Sequence, residues 1–181
     1  KKYNNLADPN QPDLKQTFLR WRTQSALRKN KSLRTSTAFK RSNSFGIIFT
    51  VEDRQKHDEI KDLVRKLEQD GKQVKVLEYL PKLKENYEFL FDFFTIKDLS
   101  FWGSIRNAAA TQFMQTQFDY LFYVDIVHNP LILNLLANSK AHCRVGQYQE
   151  ENAPYFEFMI DNKGTLHGLV ENMYTYTKQL H

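Results

Sequence analysis

Asp125 and His128, three residues apart, are the pair in this chain whose types and spacing best suit proton transfer. A carboxylate can take up a proton, and an imidazole titrates near neutral pH. Asp53 follows a different apolar run and is the third candidate for such a site. Residues in these places also start helices, and Asn129 ahead of Pro130 is an ordinary helix-entry signal. Cys143, the single cysteine, is adjacent to His142. Neighbours on a strand point to opposite faces, so this pair does not chelate a metal, and Cys143 reads as a small core residue. No HExxH or GxSxG occurs, and neither GxGxxG nor GxxxxGK[ST] follows the first apolar run. No metal and no cofactor is therefore expected, and the leading expectation is a protein that is not an enzyme.

A second chemistry is written in charge. Residues 1–44 hold eleven Lys and Arg against two Asp, a net of +9, while residues 45–181 hold 15 basic and 19 acidic residues, a net of −4. Such asymmetry marks a segment that meets a polyanion. Arg20, Arg22, Arg28, Lys29, Lys31, Arg34, Lys40 and Arg41 are the candidate phosphate contacts, and Trp21 is a candidate for stacking.

The elements that must position these residues follow from periodicity. Asp13 is placed to cap a helix over 14–29 in which Leu14, Phe18 and Trp21 recur at i, i+4 and i+7, flanked by cations. Residues 30–44 are rich in Ser, Thr, Lys and Arg with no core pattern and read as a linker that could pass along a surface or a groove, the kind of stretch that orders on its partner. The run 45–51 is continuously apolar, as in a buried strand of a parallel sheet, and the folded domain starts there. A helix over 53–70, strands over 73–80 and 88–96, a helix over 104–117 and a central strand over 119–126 follow. A helix over 130–138, strands over 141–148 and 155–160 and a closing helix over 163–180 complete the chain. The Phe residues of the 88–96 run read as core, and Phe101 with Trp102 before Gly103 form an aromatic cluster that could stack on a base or ring but reads first as a core plug. This alternation predicts a Rossmann-like three-layer α/β domain at 45–181, with a mostly parallel sheet of five or six strands, behind a basic N-terminal arm at 1–44.

The stretch 118–146 (FDYLFYVDIVHNPLILNLLANSKAHCRVG), with FGIIFTVED, KDLSFWGSI and the closing helix, resembles a domain-of-unknown-function family of small cytoplasmic Bacteroidota proteins. That resemblance implies a fold and carries no activity. Residues 123–125 and 141–146 are more faintly similar to the N-terminal half of heptosyltransferase-type GT-B glycosyltransferases. The 137 residues beyond the arm suffice for only one half of such an enzyme.

The function expected from these readings is docking on a polyanionic partner through the basic arm, with ribosomal or other structured RNA as that partner. The alternatives are a nucleotide-dependent or glycosyltransferase-like enzyme completed by another chain, and a peripheral adaptor on an anionic membrane surface; a protein partner also fits. A lone cysteine and the lack of a long apolar run or signal-peptide pattern point to the cytoplasm.

Overall fold

The 45–51 run becomes the middle of a sheet because it is apolar on both faces and needs cover on both. The computed structural model describes residues 14–81, 90–162 and 164–181. In it β1 (Ser44–Thr50) lies between parallel partners β2 (Gln73–Leu80) and β4 (Tyr120–Tyr123), with Ile47 level with Val76 and Phe122. β3 (Asp92–Thr95) adds to β2; β5 (Cys143–Gln147) and β6 (Phe158–Ile160) add beyond β4. The six strands run in the order β3-β2-β1-β4-β5-β6, and every neighbouring pair is parallel.

Helices cover both faces. On one, α2 (Arg54–Gln69) and α5 (Leu166–Lys178) set Ile60, Leu63, Leu169 and Met173 against Phe45, Ile47, Phe49 and Phe122. On the other, α3 (Ala108–Gln115) and α4 (Pro130–Asn138) set Phe113, Ile132 and Leu136 against Ile48, Leu77 and Leu121. The result is a Rossmann-like three-layer α/β fold with two apolar cores separated by the sheet.

Several elements are shorter than their sequence pattern. Asn107 caps α3 by accepting from the Ala110 amide at 3.0 Å, so the helix starts later than residue 104, and Ile105 instead pairs with Leu99 in an antiparallel bridge. Glu150–Tyr155 is a 3-10 helix, which trims the strand beyond it to β6. Of the 88–96 run, residues 88 and 89 lie outside the described residues. Phe94 is buried beneath α3, whereas Phe91 is half-buried and Phe93 is exposed. β3 is an edge strand, and the face carrying Phe93 lies at the margin of the sheet.

The basic arm is part of this fold. α1 (Leu14–Lys29) matches its predicted span; the capping role read for Asp13 lies outside the described residues. Residues 30–44 cross the amino end of the sheet as a strap. The Thr35 amide donates to the His142 carbonyl at 3.1 Å, the Tyr120 hydroxyl to the Thr37 carbonyl, and Asn43 and Ser44 amides to Asp119 Oδ2 at 2.7 and 3.0 Å. Phe39 is buried against Phe45, and Lys72 Nζ donates to the carbonyls of Phe39 and Ser42, 2.7 Å each. The segment thus passes along the end of the sheet on single anchors spaced far apart, and these leave no repeating pattern in sequence.

Candidate nucleic-acid interface

α1 is fixed by a face that hydrophobicity does not reveal. Leu19, Thr23, Ala26 and Asn30 recur at i, i+4, i+7 and i+11, all four are buried, and they face α4. Thr23 Oγ1 donates to its own helix at Leu19 O (2.7 Å) and accepts from Asn134 Nδ2 (2.7 Å); Asn30 Nδ2 donates to Ala137 O at 2.9 Å. Buried amides must be paired, and here the pairing also sets the register of α1 on α4. Gly103 fits against the same helix with φ +74°, and a β-carbon there would lie 2.8 Å from the Leu19 amide nitrogen.

The predicted apolar stripe faces the other way. Leu14 and Trp21 are 60% and 65% exposed, and Phe18 is half-buried. Phe101 and Trp102, read as core plugs, are 53% and 58% exposed and lie beside Phe18. Leu19 and Ala26 are the fully buried apolar residues of α1, with Leu27 partly buried beside them, and Leu14 and Trp21 are left on the surface.

The cations sort into two groups. Arg20, Arg22, Arg28, Lys29, Lys31, Lys40 and Arg41 are exposed, as is Trp21. Arg34 is half-buried: its guanidinium donates to the carbonyls of Ala137 and Ala141 at the end of α4, where the helix dipole favours a cation. Burial, helped by the nearby Arg144 charge, lowers its pKa to about 10, so it stays charged at neutral pH. Arg144 is itself buried and gripped by both oxygens of Glu157, at 2.6 Å and 3.0 Å. Arg34 and Arg144 share a cleft of about 550 Å³ with Arg28, Lys31 and Glu157. The exposed candidates therefore lie along α1 and the strap, and Arg34 is chiefly a clamp.

The catalytic candidates stand at the carboxyl ends of β1 and β4, where the strand order reverses and ligands bind in folds of this kind. The structure does not join them into one constellation. Asp125 accepts from Lys56 Nζ at 2.6 Å and from the Thr50 amide and hydroxyl at 2.9 and 2.6 Å, and both Asp125 and Lys56 are 1% exposed. Lys56 also reaches Glu52 at 2.6 Å. Burial raises the Asp125 carboxyl above its usual range, against the pull of Lys56 and the Thr50 bonds. Asp53 caps α2, its carboxylate accepting from the Lys56 amide at 2.8 Å.

His128 packs against both the Tyr123 and Phe156 rings, which are themselves stacked, with centroids 5.1 and 5.2 Å away, and its Nδ1 meets Asn152 Nδ2 at 2.9 Å. An amide nitrogen only donates, so Nδ1 accepts and the ring proton sits on Nε2. Burial pushes its pKa down to about 4. Sequence reading missed Lys56 and also Glu78, which is fully buried on β2 with its Oε2 3.8 Å from His57 Nδ1. Apolar neighbours hid both: each is a charged residue at a core-facing position of its period. Cys143 is buried, and desolvation pushes its thiol up to about 12, in keeping with a core role. Among the described residues no group of three or more His, Cys, Asp or Glu is placed to hold a metal ion.

A six-stranded parallel sheet reversing at β1 and β4 makes this a Rossmann-like α/β protein carrying an integral basic helix. Residues 15–180 match the model of a family of unknown function, DUF6913, and the chain belongs to that family. No curated protein and no solved structure matches it.

Proposed function

We propose that this protein is a binding module that docks on a structured RNA through the outer face of α1. One observation carries the reading: α1 is bolted to α4 along a single face, and its other faces display Arg20, Arg22, Arg28 and Lys29 with no carboxylate between residues 14 and 43. Cations held on a docked helix keep their spacing without the ordering cost of a free tail, so phosphate contacts are stronger for the same charge. Lys31, Lys40 and Arg41 extend the surface along the strap.

Binding of a ribosomal RNA fragment, followed by fluorescence anisotropy against salt, tests the proposal. With about six phosphates neutralised the affinity falls about a thousandfold or more between roughly 50 and 200 mM salt. Replacing Arg20, Arg22, Arg28 and Lys29 by Gln reduces the slope by about 0.7 for each phosphate of a single strand that is no longer neutralised, with the circular dichroism unchanged. Salt-independent affinity, or wild-type affinity in the folded quadruple variant, overturns it.

A second reading, attachment to an anionic membrane surface, draws on the exposure of Leu14 and Trp21 beside the same cations. Among the described residues no helix is long and apolar enough to cross a membrane. Sedimentation with phosphatidylglycerol vesicles, abolished by Trp21→Ala, together with no RNA binding, would favour it. The catalytic reading has less support, because Asp125 and His128 are each engaged by different partners.

A further inference from the structure

Three aromatic rings meet where the 101–103 turn passes α1. Phe18 lies 5.1 Å from Trp102, edge to face, and 6.1 Å from Phe101, and Phe101 and Trp102 stand at 90° with centroids 5.2 Å apart. Aromatic contacts of this geometry are a core arrangement, yet more than half of Phe101 and of Trp102 faces water. The turn is fixed by the Ser100 amide on the Ser104 carbonyl at 2.8 Å and by the Gly103 backbone against Leu19. Trp21, one helical turn from Phe18 and 65% exposed, extends the surface along α1.

Charge selects the occupant. Lys15 and Arg22 lie one helical turn before and after Phe18 on α1, and α1 carries no acidic residue. A partner must therefore offer negative charge and flat apolar faces together, which unpaired nucleotides do and a duplex does not, because its bases are stacked away from side chains. We propose that Phe101, Trp102 and Trp21 form a stacking platform for unpaired bases, so that the RNA bound by α1 is single-stranded or looped where it meets the 101–103 turn. The inference rests on the RNA reading and narrows its substrate class.

The test compares a labelled single-stranded RNA of about 12 nucleotides with the same sequence in a duplex. The single strand binds more tightly; Trp102→Ala weakens it about 5- to 100-fold without changing the salt slope, and Arg22→Gln lowers the slope. In the Trp21→Phe protein Trp102 is the sole tryptophan, and its emission is quenched when the strand binds. Trp102 is largely exposed, so its removal leaves the core intact, which circular dichroism checks. Equal affinity for strand and duplex, or unchanged affinity and emission at Trp102, overturns the platform while a retained salt slope keeps cationic docking. Absence of RNA binding by the wild type, or a Trp102 response to phosphatidylglycerol vesicles alone, overturns both.

Discussion

Glu78 and His128 set opposite pH dependences on the stability of the fold. Burial raises the Glu78 carboxyl to about 7, so its contribution is complete below the unfolded value near 4.5 and is lost as pH rises to about 7. That loss amounts to about 3 kcal/mol. His128, held neutral by burial with a pKa near 4, contributes fully above its unfolded value of 6.5 and loses that contribution as pH falls toward 4. Between these limits the two slopes oppose. We predict that Glu78→Gln leaves stability rising with pH from 4.5 to 7.5, and that His128→Asn makes it fall more steeply over the same window; urea midpoints at one-unit pH steps decide. Failure of either slope to change would show that the burial of these groups is relieved in solution. Neither residue's environment is readable from its neighbours in sequence, because burial is a property of the packed helix above it: α2 closes over Glu78, and Phe156 over His128.

At the scale of elements, the seat of α1 depends on a glycine. A side chain at Gly103 would combine left-handed backbone with a clash against the Leu19 backbone, costing about 2–4 kcal/mol together. Gly71 has nearly the same φ, +76°, but open space around it, so Ala there costs only about 1–2 kcal/mol. Denaturant titration of Gly103→Ala against Gly71→Ala measures the difference, which also appears as a changed Trp102 emission in the first variant alone. Equal losses would mean that the 101–103 turn does not bear on α1. The sheet and four of the helices were legible because each repeats a strong period: β1 and β4 are continuous apolar runs, and α2 and α5 carry apolar stripes. α1 was legible as a helix but inverted in orientation, since Thr23, Ala26 and Asn30 bury through shape and hydrogen bonds while Leu14 and Trp21 stay mostly exposed.

Over the whole molecule, charge and structure are not separable into tail and domain. The strap supplies Phe39 to the α2/α5 core and takes hydrogen bonds from the buried Tyr120 and the half-buried Lys72, so its removal exposes apolar surface and orphans the Tyr120 hydroxyl. We predict that a chain beginning at residue 45 is unfolded or aggregated by circular dichroism and thermal melting, whereas the Arg/Lys-to-Gln variants of α1 melt within a few degrees of wild type. A stable 45–181 fragment would restore the picture of a dispensable arm. The basic character of α1 and the strap was legible from composition alone. Arg34 was legible only as a charge, its role as a clamp on the end of α4 being set by residues more than a hundred positions away.

Those hundred positions also order events in time. α1 is synthesised before the residues that seat it: Asn134 and Ala137, and the strap's partners His142 and Leu180, emerge more than a hundred residues later. At about 5–20 residues per second, the helix spends several seconds outside the ribosome with its seat unmade. Throughout that interval its cations and its tryptophan stand within reach of the ribosomal RNA that surrounds every nascent chain, and docking on α4 is the step that converts a mobile basic peptide into a fixed surface.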